Sequence, residues 1–245
     1  MRGVILAGGT GSRLAPLNYI NKHLLPIGRK PMIQYAVEKL TASGIDHILV
    51  VTGKEHAGTI INYLGSGDAF GCTFTYRVQD AAGGIAQALG LAKDFCSNDL
   101  FCVVLGDNIF TESLEKHVKA FELQGSGAKI VLKDDAELQR FGVAALDRFG
   151  NLVNLLEKPT RSELDNIQAN FEGHRFYIIT GIYFYDPSVF EVIPTLEPST
   201  RGELEITDVN RAYLLQGNLT YSFMRGGWTD AGTHESMERA QEMVR

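Results

Sequence analysis

Val4-Ile5-Leu6-Ala7-Gly8-Gly9-Thr10-Gly11-Ser12-Arg13 is the stretch from which the rest of the chain is read. Four apolar residues run straight into a glycine cluster, the pattern of a buried strand that stops at a tight loop. Three glycines in four positions leave backbone N–H groups open to a ligand with no side chain in the way. Arg13 places a permanent forked cation at the far end of the loop, and Lys22 adds a second charge nine residues on. From Met1 to Val37 there are five Lys or Arg residues and no Asp or Glu. A strand, a bare-backbone loop and uncompensated cations together suggest a polyphosphate site. Two common phosphate fingerprints fail here: G-x-G-x-x-G is matched by Gly9 and Gly11 but meets Leu14, and G-x-x-x-x-G-K-[ST] is matched by Gly3 and Gly8 but meets Gly9 where Lys is required. Leu14 therefore argues against a nicotinamide-dependent oxidoreductase. Leu6 to Arg13 by itself reads equally well as a glycine turn followed by a solvated arginine.

Outward from this loop, strand and helix patterns alternate. Pro31 stands where a helix begins, Met32, Tyr35, Ala36, Lys39 and Leu40 follow at helical spacing, and Gly44 supplies the stop. Residues 48–52 and 100–105 read as buried strands, 73–78 as an alternating one, and 129–132 as the start of another. Helices are expected over 56–64, over 84–95, and from a Thr111 cap to about residue 123. Such alternation over ~130 residues implies an α/β fold with a Rossmann-like, mostly parallel sheet and helices on both faces. Ligands of such sheets bind beyond the C-terminal ends of the strands, where the glycine loop and the loop after Leu105 both lie. The second half is less regular, with strands expected at 143–146, 153–157 and 177–185 and helices near 203–216 and 234–244. The polar stretch 162–176 reads as a surface loop. No linker or repeat divides the chain, so 1–245 is read as a single domain.

Composition excludes several classes. The 245 residues are 44% hydrophobic with a net charge of −6, which suits a sizeable core and argues against general nucleic-acid binding. No apolar run approaches the ~20 residues of a membrane span, and no signal-type segment opens the chain. Cys72, Cys96 and Cys102 lack C-x-x-C spacing and read as reduced, packing thiols of a cytoplasmic protein. The six histidines form no metal-ligand spacing, and His23 alone falls inside a motif.

Further polar motifs punctuate the pattern. Gly106-Asp107-Asn108 follows a buried strand and reads as an Asx turn. Trp228-Thr229-Asp230-Ala231-Gly232-Thr233 is a second acidic turn, with Thr233 placed to cap the last helix. Two such carboxylates brought together repel unless a cation lies between them, and Mg²⁺ takes one or two protein carboxylates while keeping phosphate and water oxygens. Gln79 and Gly84 flank a polar turn; a side-chain amide reads the N3–H and neighbouring carbonyl of a pyrimidine together. Phe141-Gly142-Val143, Glu157-Lys158-Pro159 and Arg201-Gly202-Glu203-Leu204-Glu205 complete the set. By themselves, Gln79 to Gly84 read as a polar loop and helix start, Lys158 as an exposed cation before a proline turn, and Arg201 as a partner of Glu203 or Glu205 at a helix start.

Taken in order, Leu6-Ala7-Gly8-Gly9-x-Gly11-Ser12-Arg13-Leu14-x-Pro16, Lys22, Leu25-Pro26 and Lys30-Pro31-Met32, followed by those motifs, resemble the signature of the sugar nucleotidyltransferases. The likeness spans nearly the whole chain and is greatest to the glucose-1-phosphate thymidylyltransferases. It implies a nucleotide-diphospho-sugar transferase fold, with about 1–135 binding nucleotide and 136–245 binding sugar phosphate. It also implies transfer of a thymidylyl group from dTTP to glucose 1-phosphate, with release of pyrophosphate and Mg²⁺ as cofactor. By the same resemblance, Gly8, Gly9, Gly11, Ser12, Arg13, Lys22 and His23 bind the nucleotide, Gln79 and Gly84 its base, and Asp107 and Asp230 the metal. Gly142, Glu157 and Ile179 bind the sugar, while Lys158 and Arg201 hold its phosphate. Asp80-Ala81-Ala82 departs from the proline-containing form common in the family. A phosphate nucleophile is largely dianionic at neutral pH, with a second pKa near ~6, so no general base is needed. Rival readings are a UTP- or other sugar-1-phosphate nucleotidyltransferase of the same fold, and a regulatory relative that binds nucleotide sugars without turnover. Self-association is left open. Many of these relatives continue for several dozen residues past the equivalent of Arg245, in helices that support feedback by dTDP-rhamnose, so weakened feedback is expected here.

Overall fold

A computed structural model of the chain describes residues 1–9, 14, 20–170 and 173–245. The period-two alternation of a strand covered on both sides appears at once in β1 (Arg2–Ala7): Val4 and Leu6 enter one apolar cluster, Ile5 and Ala7 another. A short hairpin of β2 (Pro26–Ile27) and β3 (Lys30–Pro31) leads into α1 (Met32–Thr41). Then come β4 (His47–Gly53), α2 (Ala57–Leu64), β5 (Thr73–Gln79), α3 (Ile85–Gly90), α4 (Lys93–Cys96) and β6 (Phe101–Leu105). These are followed by β7 (Asn108–Phe110), α5 (Glu115–Gln124), β8 (Ala128–Lys133), β9 (Gly142–Leu146), β10 (Leu152–Glu157) and α6 (Arg161–Asn170). The chain closes with β11 (Arg175–Tyr185), α7 (Val189–Val192), α8 (Ile206–Leu215), β12 (Leu219–Phe223), β13 (Trp228–Asp230) and α9 (His234–Met243).

The main sheet runs β10-β9-β11-β6-β1-β4-β5, with β8 pairing β11 and β12 pairing β8. From β6 to β5 the strands are parallel, as the alternating pattern implies, and β12 is parallel to β8. The long β11 runs antiparallel to its neighbours and joins the two halves, pairing β9 through residues 175–178 and β6 through residues 182–185. One face carries residues of α3, α7 and α8 (Ala86, Leu89, Phe190, Val209) on Val4, Leu6 and Val103. The other carries α1, α2 and α5 (Ile33, Leu40, Ile60, Phe121) on Ile5, Val50 and Val104. A third cluster of Ile27, Met32, Ile109, Ala231 and Ala240 ties α9 to the β7–β13 ribbon. All three cysteines are buried free thiols.

Four expectations are corrected. Residues 161–170 form a helix rather than a loop: Thr160 and Glu163 make a capping box, with the Thr160 backbone N–H donating to Glu163 Oε2 at 2.7 Å and the Glu163 N–H donating to Thr160 Oγ1 at 3.3 Å. The helix expected over 84–95 breaks after Gly90, where i→i+3 bonds from Leu91 and Ala92 tighten the chain. Thr111 does not cap α5; it pairs with Gly227 at the end of the ribbon, and the helix starts four residues later. Finally, α8 begins at Ile206: Leu204 is drawn into backbone bonds with Gly83 and Ala86, and Glu205 after it is extended. Thr233 caps α9 as expected, in a box with Ser236.

Candidate active site

The C-terminal ends of β1, β5 and β6 open onto a cavity of about 630 Å³. Every expected site residue that the structure describes lines it: Gly8, Gly9, Lys22, His23, Gln79, Gly84, Asp107 and Asp230 from one side, Gly142, Glu157, Lys158, Ile179 and Arg201 from the other. Gly11, Ser12 and Arg13 lie outside the described residues. At the end of β1, the missing side chain of Gly8 makes room for an amide as well as a ligand: a Cβ there would stand 2.1 Å from Gln79 Oε1. Gly84, at φ +100°, opens α3, and a Cβ on it would meet the Leu204 carbonyl oxygen at 2.4 Å.

Asp107 is placed by the step from β6 into β7. Its Oδ2 accepts from Lys22 Nζ, its Oδ1 accepts from Asn108 Nδ2 at 3.1 Å, and its carbonyl accepts from the Ala231 N–H at 2.8 Å. Burial opposes its charge, but the Lys22 charge and the side-chain hydrogen bonds from Lys22 and Asn108 override that and hold the carboxyl well below the usual carboxylate range. His23 is itself buried; desolvation first, and the Lys22 charge second, lower it to about 3, so the ring is neutral and its Nδ1 sits 2.7 Å from Asn21 Oδ1. Asp230 stands opposite Asn108 in the β7–β13 ladder, and Asp107 immediately precedes Asn108 in the chain. Both Asp230 oxygens accept from Arg140 Nη2, at 3.0 and 3.2 Å.

At the other end, Gly142 and Glu157 face each other across β9 and β10. Glu157 Oε2 accepts from Thr207 Oγ1 at 2.6 Å, and Glu157 Oε1 lies 3.1 Å from Arg201 Nη2 and 3.6 Å from Lys158 Nζ. Arg201 also meets Glu205 at 2.8 Å and Glu203 at 3.7 Å, so it pairs with both glutamates of the segment before α8 as well as with Glu157. Lys158 has φ +44°, the sole positive φ at a non-glycine position among the described residues; its N–H donates to the Phe141 carbonyl at 3.0 Å. A lysine held in this sparsely populated conformation at a cavity wall signals a site that over-determines its backbone.

A cavity that joins bare backbone, an aspartate pair and cations at both ends suits two phosphorylated reactants. The sequence profile described as "Nucleotidyl transferase" matches residues 2–245. The chain belongs to this family. Among its nucleotidyltransferase relatives, a glucose-1-phosphate thymidylyltransferase of Neisseria meningitidis is 40% identical over 248 residues, covering 100% of this chain and 82% of that protein. A crystal structure from Bacillus anthracis, of a protein provisionally named glucose-1-phosphate thymidylyltransferase and bound to sucrose, superposes with a TM-score of 0.89 at 51% identity, covering 100% of this chain and 95% of that one. A UDP-glucose pyrophosphorylase complexed with UDP-glucose shares the fold, with a TM-score of 0.84 at 23% identity, covering 99% and 97%.

Nucleotidyltransferases generally use a divalent metal, and the donor set here fits one. Asp107 and Asp230 both line the cavity, and Asp107 is held ionised. That suits a hard cation completed by substrate and water oxygens. Several lining residues of this nucleotidyltransferase escaped the sequence reading. Arg140 carries no motif, while Thr207 falls in the stretch that Arg201 opens and Tyr183 lies in the strand expected at 177–185, neither with a role assigned; Arg140 and Thr207 take theirs from Asp230 and Glu157, dozens of residues away in sequence. Arg140 had one local sign, its place directly before Phe141-Gly142. No described helix is long and apolar enough to cross a membrane.

Proposed function

We propose that this nucleotidyltransferase makes dTDP-glucose from dTTP and glucose 1-phosphate, releasing pyrophosphate, with Mg²⁺ as its metal and the cytoplasm as its place of work. The observation that carries this reading is the single cavity in which Gln79, Asp107 and Asp230 stand across from Glu157, Lys158 and Arg201. An oxygen of the sugar phosphate attacks the α-phosphorus of the triphosphate. The new P–O bond forms as the bond to the bridging α–β oxygen breaks, and the electron pair leaves on pyrophosphate. No described histidine or carboxylate has to take a proton, since the nucleophile is already anionic. The protein's task is to bring two polyanions together in line and neutralise them.

Gln79 and Gly84 receive the base, and the backbone at Gly8, Gly9 and Gly11, with Ser12, Arg13, Lys22 and His23, receives the triphosphate. Gly142, Glu157 and Ile179 hold the sugar, while Lys158 and Arg201 aim its phosphate. Asp107 and Asp230 would hold the Mg²⁺, which when bound neutralises phosphate charge and steadies the leaving group. Pyrophosphate release is the test, measured with a panel of nucleoside triphosphates and sugar phosphates. Fastest turnover is expected with dTTP and glucose 1-phosphate. UTP, which lacks the 5-methyl and carries a 2′-hydroxyl, should be a measurable but poorer substrate; the methyl alone is worth about 1–3 kcal/mol. Preference for ATP or GTP would overturn the base assignment, and nucleotide-sugar binding without turnover would favour a regulatory protein.

A further inference from the structure

Gln79 does not stand alone. Its Nε2 donates to Gln87 Oε1 at 2.6 Å, and its own Oε1 rests against Gly8. Gln79 lines the cavity at only 6% exposure, whereas Gln87 stands behind it, outside the set of lining residues. Gln87 is itself confined. It lies in α3, whose start is tied to the segment before α8 by backbone bonds from Leu204 N to the Gly83 carbonyl (2.8 Å) and from Ala86 N to the Leu204 carbonyl (3.1 Å). Its stem crosses bare backbone, since a Cβ on Gly83 would stand 3.1 Å from Gln87 Cγ and Cδ.

A carboxamide is nearly symmetric in shape and opposite in chemistry at its two ends. Turning it over exchanges an acceptor for a donor at little steric cost. Thymine and uracil present an N3–H beside a carbonyl, whereas cytosine presents a bare N3 beside an amino group. An amide held one way round matches the first pattern, and an amide free to turn over matches both. We infer that Gln87 is a specificity-determining positioning residue: its carbonyl anchors the Gln79 amide in one orientation, so that the cavity takes pyrimidines bearing N3–H and rejects cytosine. This rests on the thymidylyl reading of the cavity. It explains why a second amide stands behind the first, where an apolar side chain would fill the same space without choosing its direction.

The test compares kcat/KM for dTTP, UTP and dCTP in the parent enzyme, Gln87→Met and Gln87→Glu. Methionine keeps the length and removes the acceptor; glutamate keeps the acceptor. Gln87→Met should raise KM for dTTP, leave KM for glucose 1-phosphate unmoved, and narrow the dTTP-to-dCTP ratio by about tenfold or more. Gln87→Glu should keep the parent ratio. Calorimetric binding of dTTP and dCTP gives the same comparison if turnover is lost, and thermal melting checks that the variants fold. An unchanged ratio in Gln87→Met, or a ratio narrowed equally in both variants, overturns the inference. Failure of the reading beneath it looks different, because the parent enzyme would then not use dTTP at all.

Discussion

Asp107 and Asp230 each face a cation of the protein: Lys22 on the first, Arg140 on the second. Charge on these carboxylates is what a divalent ion needs, and replacing either by its amide keeps shape while removing the charge. Asp107→Asn and Asp230→Asn are each expected to lower kcat by about 10²–10³-fold or more with the fold intact. Chelation with EDTA should stop the parent enzyme, and added Mg²⁺ should restore it. Full turnover in excess chelator would show that the two aspartates serve another purpose. The acidic residues and Lys158 were legible from their motifs. Arg140 was not, because its meaning comes from Asp230, 90 positions away.

At the scale of elements, the two aspartates owe their placement to the β7–β13 ribbon, and the ribbon is held by Asn108. This residue is 1% exposed; its Oδ1 accepts from the Gly181 N–H at 3.0 Å and from Trp228 Nε1 at 2.7 Å, while its Nδ2 reaches Asp107. One side chain thus ties β7 to β11, to β13 and to the candidate metal ligand. Asn108→Ala leaves two buried donors without acceptors, and each costs about 1–3 kcal/mol. A loss of about 2–4 kcal/mol in urea unfolding is expected, along with weaker Mg²⁺ dependence of turnover. A loss under 0.5 kcal/mol would show that water replaces the amide. The capping box of α6 teaches a related lesson at this scale. Thr160-x-x-Glu163 has the pattern of a capping box, but the run after it offers only Leu164 and Ile167 as large apolar residues at helical spacing, so the stretch reads as a loop until the cap's reciprocal bonds are seen.

The molecule as a whole carries an ammonium in its interior. Lys129 of β8 is 3% exposed, its Nζ donates to the His117 carbonyl at 2.9 Å, and it lies 5.4 Å from the centre of the Phe184 ring. Burial lowers its pKa to about 8. The folded protein therefore holds this proton less tightly than the unfolded chain, whose lysines titrate near ~10.4. The charge costs stability in full below about pH 8, and the cost fades as pH rises from there towards ~10.4. Lys129→Met should be more stable than the parent at pH 7 by about 1–3 kcal/mol, with the gap closing by about pH 10. Urea unfolding at the two pH values measures it, and a gap independent of pH would assign the effect to packing alone.

Local rules determined a good deal. Continuous apolar runs in 4–7 and 48–52, glycines at strand ends, and caps such as Thr233 specify a mostly parallel sheet covered on both faces, with a glycine loop after its first strand. These signals are readable because strand and helix periods are written in neighbouring residues. The antiparallel passage of β11 between the halves, the pairing of β13 with β7, and the convergence of Lys22, Arg140 and Arg201 on their carboxylates were decided only by the tertiary structure. Strand partners and ion pairs are chosen by which surfaces close the core and by which charges desolvation forces together. Both choices join residues far apart in the chain, where no local pattern records them.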